Sequence, residues 1–210
     1  MKYSMILSNN ERSYEYLKLL ISKKKFPNYI IHLDFKNESK FKKKIFSLIN
    51  KKKLDYKSFK GNSVDQENIK KFLTNLKDKI FVYSGYSAKI IKNKSIFKKK
   101  VLLHSHTGKL PKYKGSTTIY YSLIKEKKIY CTTFIMNSQI DKGTILLIKK
   151  YPILKNYKNI DKYDNKIRAK NILVTLNNFY KLKKNKKKYK DNYSPYYIIH
   201  PILRYIALKK

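Results

Sequence analysis

The most informative stretch of this chain is His104-Ser105-His106-Thr107-Gly108-Lys109-Leu110-Pro111-Lys112-Tyr113-Lys114-Gly115, and a second motif follows at Gln139-Ile140-Asp141-Lys142-Gly143. Within 40 residues, the two motifs gather two imidazoles, a carboxylate and three of the five glycines of the chain. Glycine is needed where the backbone takes a positive φ or comes close to a ligand. Its concentration here indicates a built site rather than an ordinary loop.

Short apolar runs alternate with amphipathic helical segments on both sides of these motifs. This alternation predicts βαβ units and a Rossmann-like α/β fold, in which helices flank a mostly parallel, twisted sheet. A helical C-terminal extension is expected after Pro152. Ligands bind beyond the carboxyl ends of the strands in such sheets, and the two motifs follow strand ends. Strands are expected at 3–7, 29–33, 55–59, 80–83, 101–106, 130–136 and 144–149, and helices at 14–24, 41–49, 63–76, 118–126 and 160–182.

The length of 210 residues predicts one core-forming domain. Residues 1–155 are expected to form it, and residues 156–210 to form a helical extension packed on it, not an independent domain. The lysine run at 181–190 predicts a solvated linker. The aromatic and apolar tail at 194–208 is too apolar to stay loose, so it is expected to pack on the domain or to form a homodimer with a second copy.

The net charge of +38 suggests a nucleic-acid partner, yet only three of the 51 basic residues are arginine, the side chain that favours bidentate phosphate contacts. Abundant Lys, Asn, Ile, Tyr and Phe instead indicate an A/T-rich coding sequence. The single cysteine, Cys131, excludes an internal disulfide framework and a cysteine-rich zinc module. No apolar run approaches the roughly 18 residues of a membrane span. A cytoplasmic protein without a membrane partner is therefore expected.

His104 and His106 lie two residues apart on a predicted strand, so their side chains share one face. Three interpretations stay open: acid–base and oxyanion chemistry with Asp141, a metal site built from two histidines and a carboxylate, and a structural hydrogen-bond network. The lack of a further His or Cys nearby weakens the metal site, and no metal is expected. His32 and His200 are interpreted as satisfied structural groups.

The segment Leu110–Gly115, with His106 five residues before Pro111, resembles the signature of 10-formyltetrahydrofolate-dependent formyltransferases. That family carries Asn-x-His before a Ser-Leu-Leu-Pro-x-x-Arg-Gly turn and a later Asp-x-Gly loop. Asp141-Lys142-Gly143 matches the loop, and Val82–Tyr86 resembles the family's folate-side strand and turn. The resemblance covers about residues 60 to 150.

The resemblance implies formyl transfer from 10-formyltetrahydrofolate to a substrate amine. His106 takes the family's histidine role and Asp141 the aspartate role, while His104 stands at the asparagine position and Lys114 at the arginine position. His106 and His104 are then expected to donate hydrogen bonds to the oxyanion. Asp141 is expected to orient His106 and to help take the amine proton.

Two further groups of residues follow from the resemblance. The cofactor-binding candidates are Ser84, Gly85, Tyr86, Ile90, Leu110, Asn137, Gln139 and Ile140. The substrate-binding candidates are Lys109, Lys112, Tyr113, Lys114 and Gly115. Their lysines either hold a sugar-nucleotide diphosphate or are only part of the general lysine content of the chain.

The acceptor amine is expected to belong to a nucleotide-linked amino-sugar used for surface polysaccharide. Methionyl-tRNA formyltransferases usually carry a C-terminal β-barrel, whereas about 60 residues follow Pro152 here and look helical. Glycinamide ribonucleotide enzymes have Asp-Gly-Gly in place of Asp141-Lys142-Gly143. The tRNA and the glycinamide stay alternatives, as do a metal-dependent or non-catalytic protein on the same scaffold and a nucleic-acid-binding protein.

Overall fold

The structure, a computed structural model, describes residues 1–35, 39–86, 90–153, 159–186 and 189–209. Strands and helices alternate along most of this length, as the hydrophobic pattern predicts. The strands are β1 (Ser4–Ser8), β2 (Ile30–Asp34), β3 (Tyr56–Lys60), β4 (Ile80–Ser84), β5 (Val101–His106), β6 (Ile129–Met136) and β7 (Gly143–Tyr151). The helices are α1 (Glu11–Ser22), α2 (Lys40–Lys51), α3 (Glu67–Asn75), α4 (Lys94–Lys99), α5 (Thr118–Glu126), α6 (Ile160–Lys184) and α7 (Pro201–Leu208).

The strands follow the order β3-β2-β1-β4-β5-β6-β7, seven in the described part of the chain. β1 pairs in parallel with β2 and β4, β2 with β3, and β4 with β5. Every residue of β1 is buried, as expected for a strand covered on both faces. The predicted mostly parallel α/β fold is confirmed.

By its internal packing the chain divides into two compact units. Unit 1 comprises Met1–His104 and Met136–Gln139. Its core includes Ile6, Leu33, Phe81 and Leu102, all fully buried or nearly so, and Met136 packs against this cluster. These apolar side chains come from successive strands, so burying them fixes the parallel part of the sheet.

Unit 2 comprises Ser105–Ile135 and Ile140–Lys210. Its core joins α5 and β6 to α6 and the C-terminal residues, because Leu123, Ile129, Ile167 and Ile199 belong to one buried cluster. Cys131 lies in the same cluster, its thiol 3.1 Å from the Ser105 hydroxyl, and burial raises its pKa to about 12. The division expected at residue 155 stays a prediction.

Several elements differ from the sequence prediction. Helix α4 is missed, because six residues with one buried apolar side chain, Ile96, give no periodic signal. α3 begins at Glu67 and not at residue 63, and the carboxylate of Asp65 accepts the backbone N–H groups of Lys92 and Asn93. The tail contains a helix, α7, and buries Ile199 and Ala207 within unit 2.

No helix in the described ranges is long and apolar enough to cross a membrane.

Asn10 caps helix α1, because its side-chain oxygen accepts the backbone N–H of Ser13 at 2.9 Å. Replacing Asn10 with alanine is expected to lower the free energy of unfolding by about 1 kcal/mol, since that N–H loses its partner. Gln66, at the same position of α3, makes no side-chain capping bond and provides the matched control. Gln66→Ala should change the free energy by less than about 0.5 kcal/mol in chemical denaturation. Equal losses in the two variants would contradict this assignment.

Candidate active site

His106 and Asp141 meet within unit 2. His106 is the last residue of β5 and is only 4 % exposed, and Asp141 lies in the turn between β6 and β7. The Asp141 Oδ2 atom is 3.3 Å from Nδ1 of His106. Asp141 adopts a φ of 46°, a conformation that aspartate tolerates better than most non-glycine residues. The carboxylate therefore lies within direct reach of the imidazole.

Residues 107–116, which follow β5 and which we call the motif segment, hold both members of this pair. Nε2 of His106 is 2.7 Å from the carbonyl oxygen of Tyr113 and 3.0 Å from the hydroxyl of Thr118. The backbone N–H of Gly115 donates to Asp141 Oδ2 at 2.8 Å. One short segment thus fixes the ring through a carbonyl and the carboxylate through an amide.

These contacts determine which nitrogen of His106 carries the proton. A carbonyl oxygen can only accept, so the proton lies on Nε2 and is donated to Tyr113. Burial lowers the pKa of His106, and the nearby Asp141 carboxylate opposes that shift without reversing it. The neutral ring then presents the lone pair of Nδ1 beside Asp141. A proton that arrives at Nδ1 is stabilised by that carboxylate, so the pair can act as a proton acceptor.

This arrangement differs from the role expected for His106. The family resemblance predicts that His106 donates a hydrogen bond to the oxyanion, whereas its only donor in the neutral ring points to the Tyr113 carbonyl. His104 shows a related feature in unit 1: its Nδ1 lies 3.1 Å from the carbonyl oxygen of Tyr83, which must accept. His104 can therefore donate from Nε2 only as an imidazolium.

Helix α6 supports the end of β5 through residues that the motifs did not reveal. Arg168 donates from Nη1 to the carbonyl oxygen of Ser105 at 3.0 Å and from Nε to Asp164 at 2.9 Å. The Asp164 carboxylate also accepts the hydroxyl of Thr107. Two signals were available: arginine is rare in this lysine-rich chain, and Asp164 and Arg168 are four residues apart.

The cofactor-binding candidates of unit 1 are mostly engaged with the protein. Ser84 is fully buried and lies 2.9 Å from the hydroxyl of Ser13. The carbonyl oxygen of Gly85 accepts from Arg12, and the hydroxyl of Tyr86 donates to the carbonyl of Leu33 at 3.1 Å.

The other cofactor-binding candidates range from exposed to buried. Ile90 is 43 % exposed, and Asn137 accepts the backbone N–H of Gln139 at 2.9 Å. In unit 2, Leu110 is buried and Ile140 is 42 % exposed. An exposed apolar side chain is free to contact a flat ring, which the buried Leu110 side chain is not.

The predicted substrate-binding lysines are paired within unit 2 to different extents. Lys112 contacts Glu126 at 2.6 Å, and the hydroxyl of Tyr113 donates to the same carboxylate. Lys114 is 3 % exposed and contacts Asp191 at 2.7 Å. Lys109 is exposed, with Nζ 5.5 Å from the centre of the Tyr130 ring. Of the three lysines, Lys109 presents its charge most openly to an anionic group.

No group of three or more His, Cys, Asp or Glu side chains is placed to hold a metal ion in the parts of the chain that the structure describes.

Residues 21–176 match a family model described as formyl transferase. A methionyl-tRNA formyltransferase of Hydrogenobaculum sp. (strain Y04AAS1) is 32% identical over 103 residues, which are 49% of this chain and 34% of that protein. The chain thus spans about a third of the length of this curated relative.

The fold is shared with solved structures of formyltransferases, including the following two. A sugar N-formyltransferase from Shewanella sp FDAARGOS_354 superposes with a TM-score of 0.64 at 19% identity, over 99% of this chain and 87% of that one. A phosphoribosylglycinamide formyltransferase from Anaplasma phagocytophilum has a TM-score of 0.64 at 15% identity, over 92% of each chain.

Proposed function

The chain belongs to the formyl transferase family, and from this premise we propose that it transfers a formyl group from 10-formyltetrahydrofolate to the primary amine of a nucleotide-linked amino-sugar. The observation that carries the proposal is the 3.3 Å approach of His106 and Asp141. The family motifs that bear these residues are separated by helix α5 and strand β6 in the sequence. The fold brings their side chains together in unit 2.

The pair supplies the proton acceptor that attack by an amine requires. The bond between the formyl carbon and the folate nitrogen breaks, with one proton taken up by that nitrogen, as the amine nitrogen bonds to the same carbon and loses one proton. Nδ1 of His106 receives this proton, while Asp141 stabilises the resulting imidazolium. Nε2 remains bonded to the Tyr113 carbonyl throughout, so the ring does not need to rotate between steps. The folate, when bound, supplies the activated formyl group.

Unit 1 contains an observation that fits a folate ring. In the described ranges, the hydroxyl of Tyr83 is the buried side-chain polar atom without a hydrogen-bond partner. Burial raises its pKa to about 12, so it stays a neutral donor. A Cβ at Gly85 would lie 2.2 Å from this oxygen, so a larger residue there would close off the space beside it.

A pterin carries ring nitrogens and an oxo group that can accept such a donor. We therefore assign Tyr83 and Gly85, with the Asn137–Gln139 turn of the same unit, to the folate ring. Met136, which precedes this turn, packs against the apolar cluster that contains Tyr83.

The nucleotide-linked amino-sugar is favoured by the extent of the likeness. The structural match to the Shewanella sugar N-formyltransferase spans 99% of this chain, against 92% for the glycinamide enzyme at the same TM-score of 0.64. The net charge of +38 and the exposed Lys109 suit a phosphate-bearing substrate.

A screen of acceptor amines tests this assignment. The purified protein is incubated with 10-formyltetrahydrofolate and, separately, a nucleotide-linked amino-sugar, glycinamide ribonucleotide or methionyl-tRNA, and the release of tetrahydrofolate is followed. We expect turnover with the amino-sugar and at least about a hundredfold lower kcat/KM with the others, since an acceptor that leaves site groups unpaired is strongly disfavoured. Faster turnover with glycinamide ribonucleotide or methionyl-tRNA would show that the proposed acceptor is wrong. No turnover with any amine would overturn the proposed function.

A further inference from the structure

Residues 191–199, which we call the strap, bind the motif segment along its backbone. The N–H of Tyr196 donates to the carbonyl oxygen of Lys114 at 2.8 Å, and the N–H of Ser116 donates to the carbonyl oxygen of Tyr196 at 2.8 Å. These two bonds form an isolated parallel bridge between Gly115 and Tyr196. The Tyr196 ring also lies 4.4 Å from that of Tyr121. The strap therefore pairs with the motif segment as a short strand would.

The opposite edge of the same segment holds the candidate catalytic pair. The Tyr113 carbonyl and the Gly115 N–H point to His106 and Asp141, whereas the Lys114 carbonyl and the Ser116 N–H point to the strap. The position of the segment is thus set from both sides, and a shift on the strap side moves the groups that hold the pair.

An ion pair anchors the strap at its beginning. Nζ of Lys114 contacts both carboxylate oxygens of Asp191, at 2.7 and 2.9 Å, and Lys142 contacts the same carboxylate at 3.4 Å. The side chain of Lys114 is only 4 % exposed. Hydrogen bonding to Lys114 lowers the pKa of Asp191, although partial burial opposes the shift. Removing this carboxylate leaves a buried ammonium without its main partner, which favours release of the strap.

Close approach at Gly115 adds a steric requirement. Its φ is +100°, and a Cβ there would lie 2.3 Å from the carbonyl oxygen of Tyr196. Glycine at this motif position therefore allows the strap backbone to approach. Gly115, a predicted substrate-binding residue, is therefore also required by the packing of the strap.

We propose that the strap is a positioning element for the catalytic pair, with Asp191 as its anchoring residue. The expected effect on kcat rests on the proposed function, whereas the expected effect on the backbone of the motif segment does not. In the described part of the chain, the strap makes no hydrogen bond or ion pair with His106 or Asp141. It acts by holding the Tyr113 carbonyl and the Gly115 amide where His106 and Asp141 need them.

The test compares three variants of the whole chain. Asp191→Asn removes the anchor, the double variant Lys114→Met with Asp191→Asn replaces the ion pair by a neutral pair, and Asp161→Asn is the matched control in unit 2 at a mostly exposed ion pair. Amide hydrogen exchange of residues 113–116 measures the segment directly. kcat for formyl transfer and the dissociation constant of 5-formyltetrahydrofolate measure the consequence.

In Asp191→Asn, we expect exchange at Gly115 and Ser116 to be at least about tenfold faster. We expect kcat to fall about tenfold or more, with the folate dissociation constant unchanged, because the pair is misplaced and not removed. The double variant should recover most of the lost exchange protection, and Asp161→Asn should match the unmodified chain in both exchange and kcat.

Unchanged exchange and unchanged kcat in Asp191→Asn would overturn the strap proposal. So would faster exchange with unchanged kcat in a chain that transfers formyl groups. If the unmodified chain transfers none, the proposed function fails, and hydrogen exchange alone decides whether Asp191 holds the segment.

Discussion

Replacing Asp141 with asparagine is expected to lower kcat of formyl transfer by about 10²- to 10⁴-fold, the range for loss of general acid–base catalysis. The substitution keeps the size of the side chain and can keep an acceptor for the Gly115 N–H. It removes the negative charge 3.3 Å from Nδ1 of His106. The imidazolium that forms during the reaction then loses its counter-charge in a buried site, and proton acceptance becomes unfavourable.

Steady-state kinetics with a saturating acceptor amine checks this prediction. Glu67→Gln, which neutralises an exposed carboxylate paired with Lys70, is the matched control and should leave kcat within a factor of about two. His106→Ala should be as impaired as Asp141→Asn, and the double variant no worse than either, because the two residues act as one unit. A kcat for Asp141→Asn near that of the unmodified chain would remove this carboxylate from the mechanism.

Acidification is expected to destabilise the protein through His32, independently of any activity. His32 is fully buried in β2, with Nδ1 2.9 Å from the Ser58 hydroxyl and Nε2 2.7 Å from the Asn9 side-chain oxygen. Burial lowers its pKa from 6.5 to about 4, with Lys42 contributing in the same direction and Asp34 opposing. The folded protein therefore keeps this ring neutral at pH values where the unfolded chain protonates it.

The sign of the effect follows from the lowered pKa. The unfolded chain binds more protons between pH 6.5 and about 4, so stability falls as the pH decreases through that window. Above pH 6.5 the contribution of His32 is fully present. Across the window the loss amounts to roughly 3 kcal/mol, at 1.36 kcal/mol per pKa unit.

Denaturant unfolding at pH 7.5 and at lower pH measures this loss, and two variants isolate it. His32→Gln should have a shallower dependence of the unfolding free energy on pH, even if it is less stable throughout. His200→Gln changes an exposed histidine and should retain the slope of the unmodified chain. If His32→Gln and the unmodified chain share one slope, the ring does not titrate as its burial requires.

Much of the fold was predictable because the hydrophobic periodicity of each strand and helix is a local signal, and strands that alternate with helices favour a parallel sheet. The bounds of β5 and α5 agree with the sequence prediction at both ends. Helix α4 escaped prediction because its six residues carry one buried apolar side chain, and α3 starts late because Asp65 bonds to a distant loop. The first failure reflects a segment too short for a periodic pattern, and the second occurs where a tertiary contact, not a local preference, determines the structure.

The candidate site was predictable only in part, for a related reason. The family motifs identify His106 and Asp141, and the fold brings them together. The proton on Nε2 of His106 depends on the carbonyl of Tyr113, and the support from Arg168 and Asp191 depends on contacts that link distant positions of the chain. No motif encodes such contacts, so the roles of charged residues in α6 and in the strap could be assigned only from the structure.

The single cysteine has a practical consequence. Cys131 is completely enclosed, and with a pKa of about 12 it stays protonated near neutral pH. The thiolate is the form that attacks a maleimide, so Cys131 of the folded protein is expected not to react with such reagents. A fluorophore can therefore be attached at one introduced surface cysteine without first replacing Cys131. Delayed labelling of Cys131 itself reports when unit 2 opens.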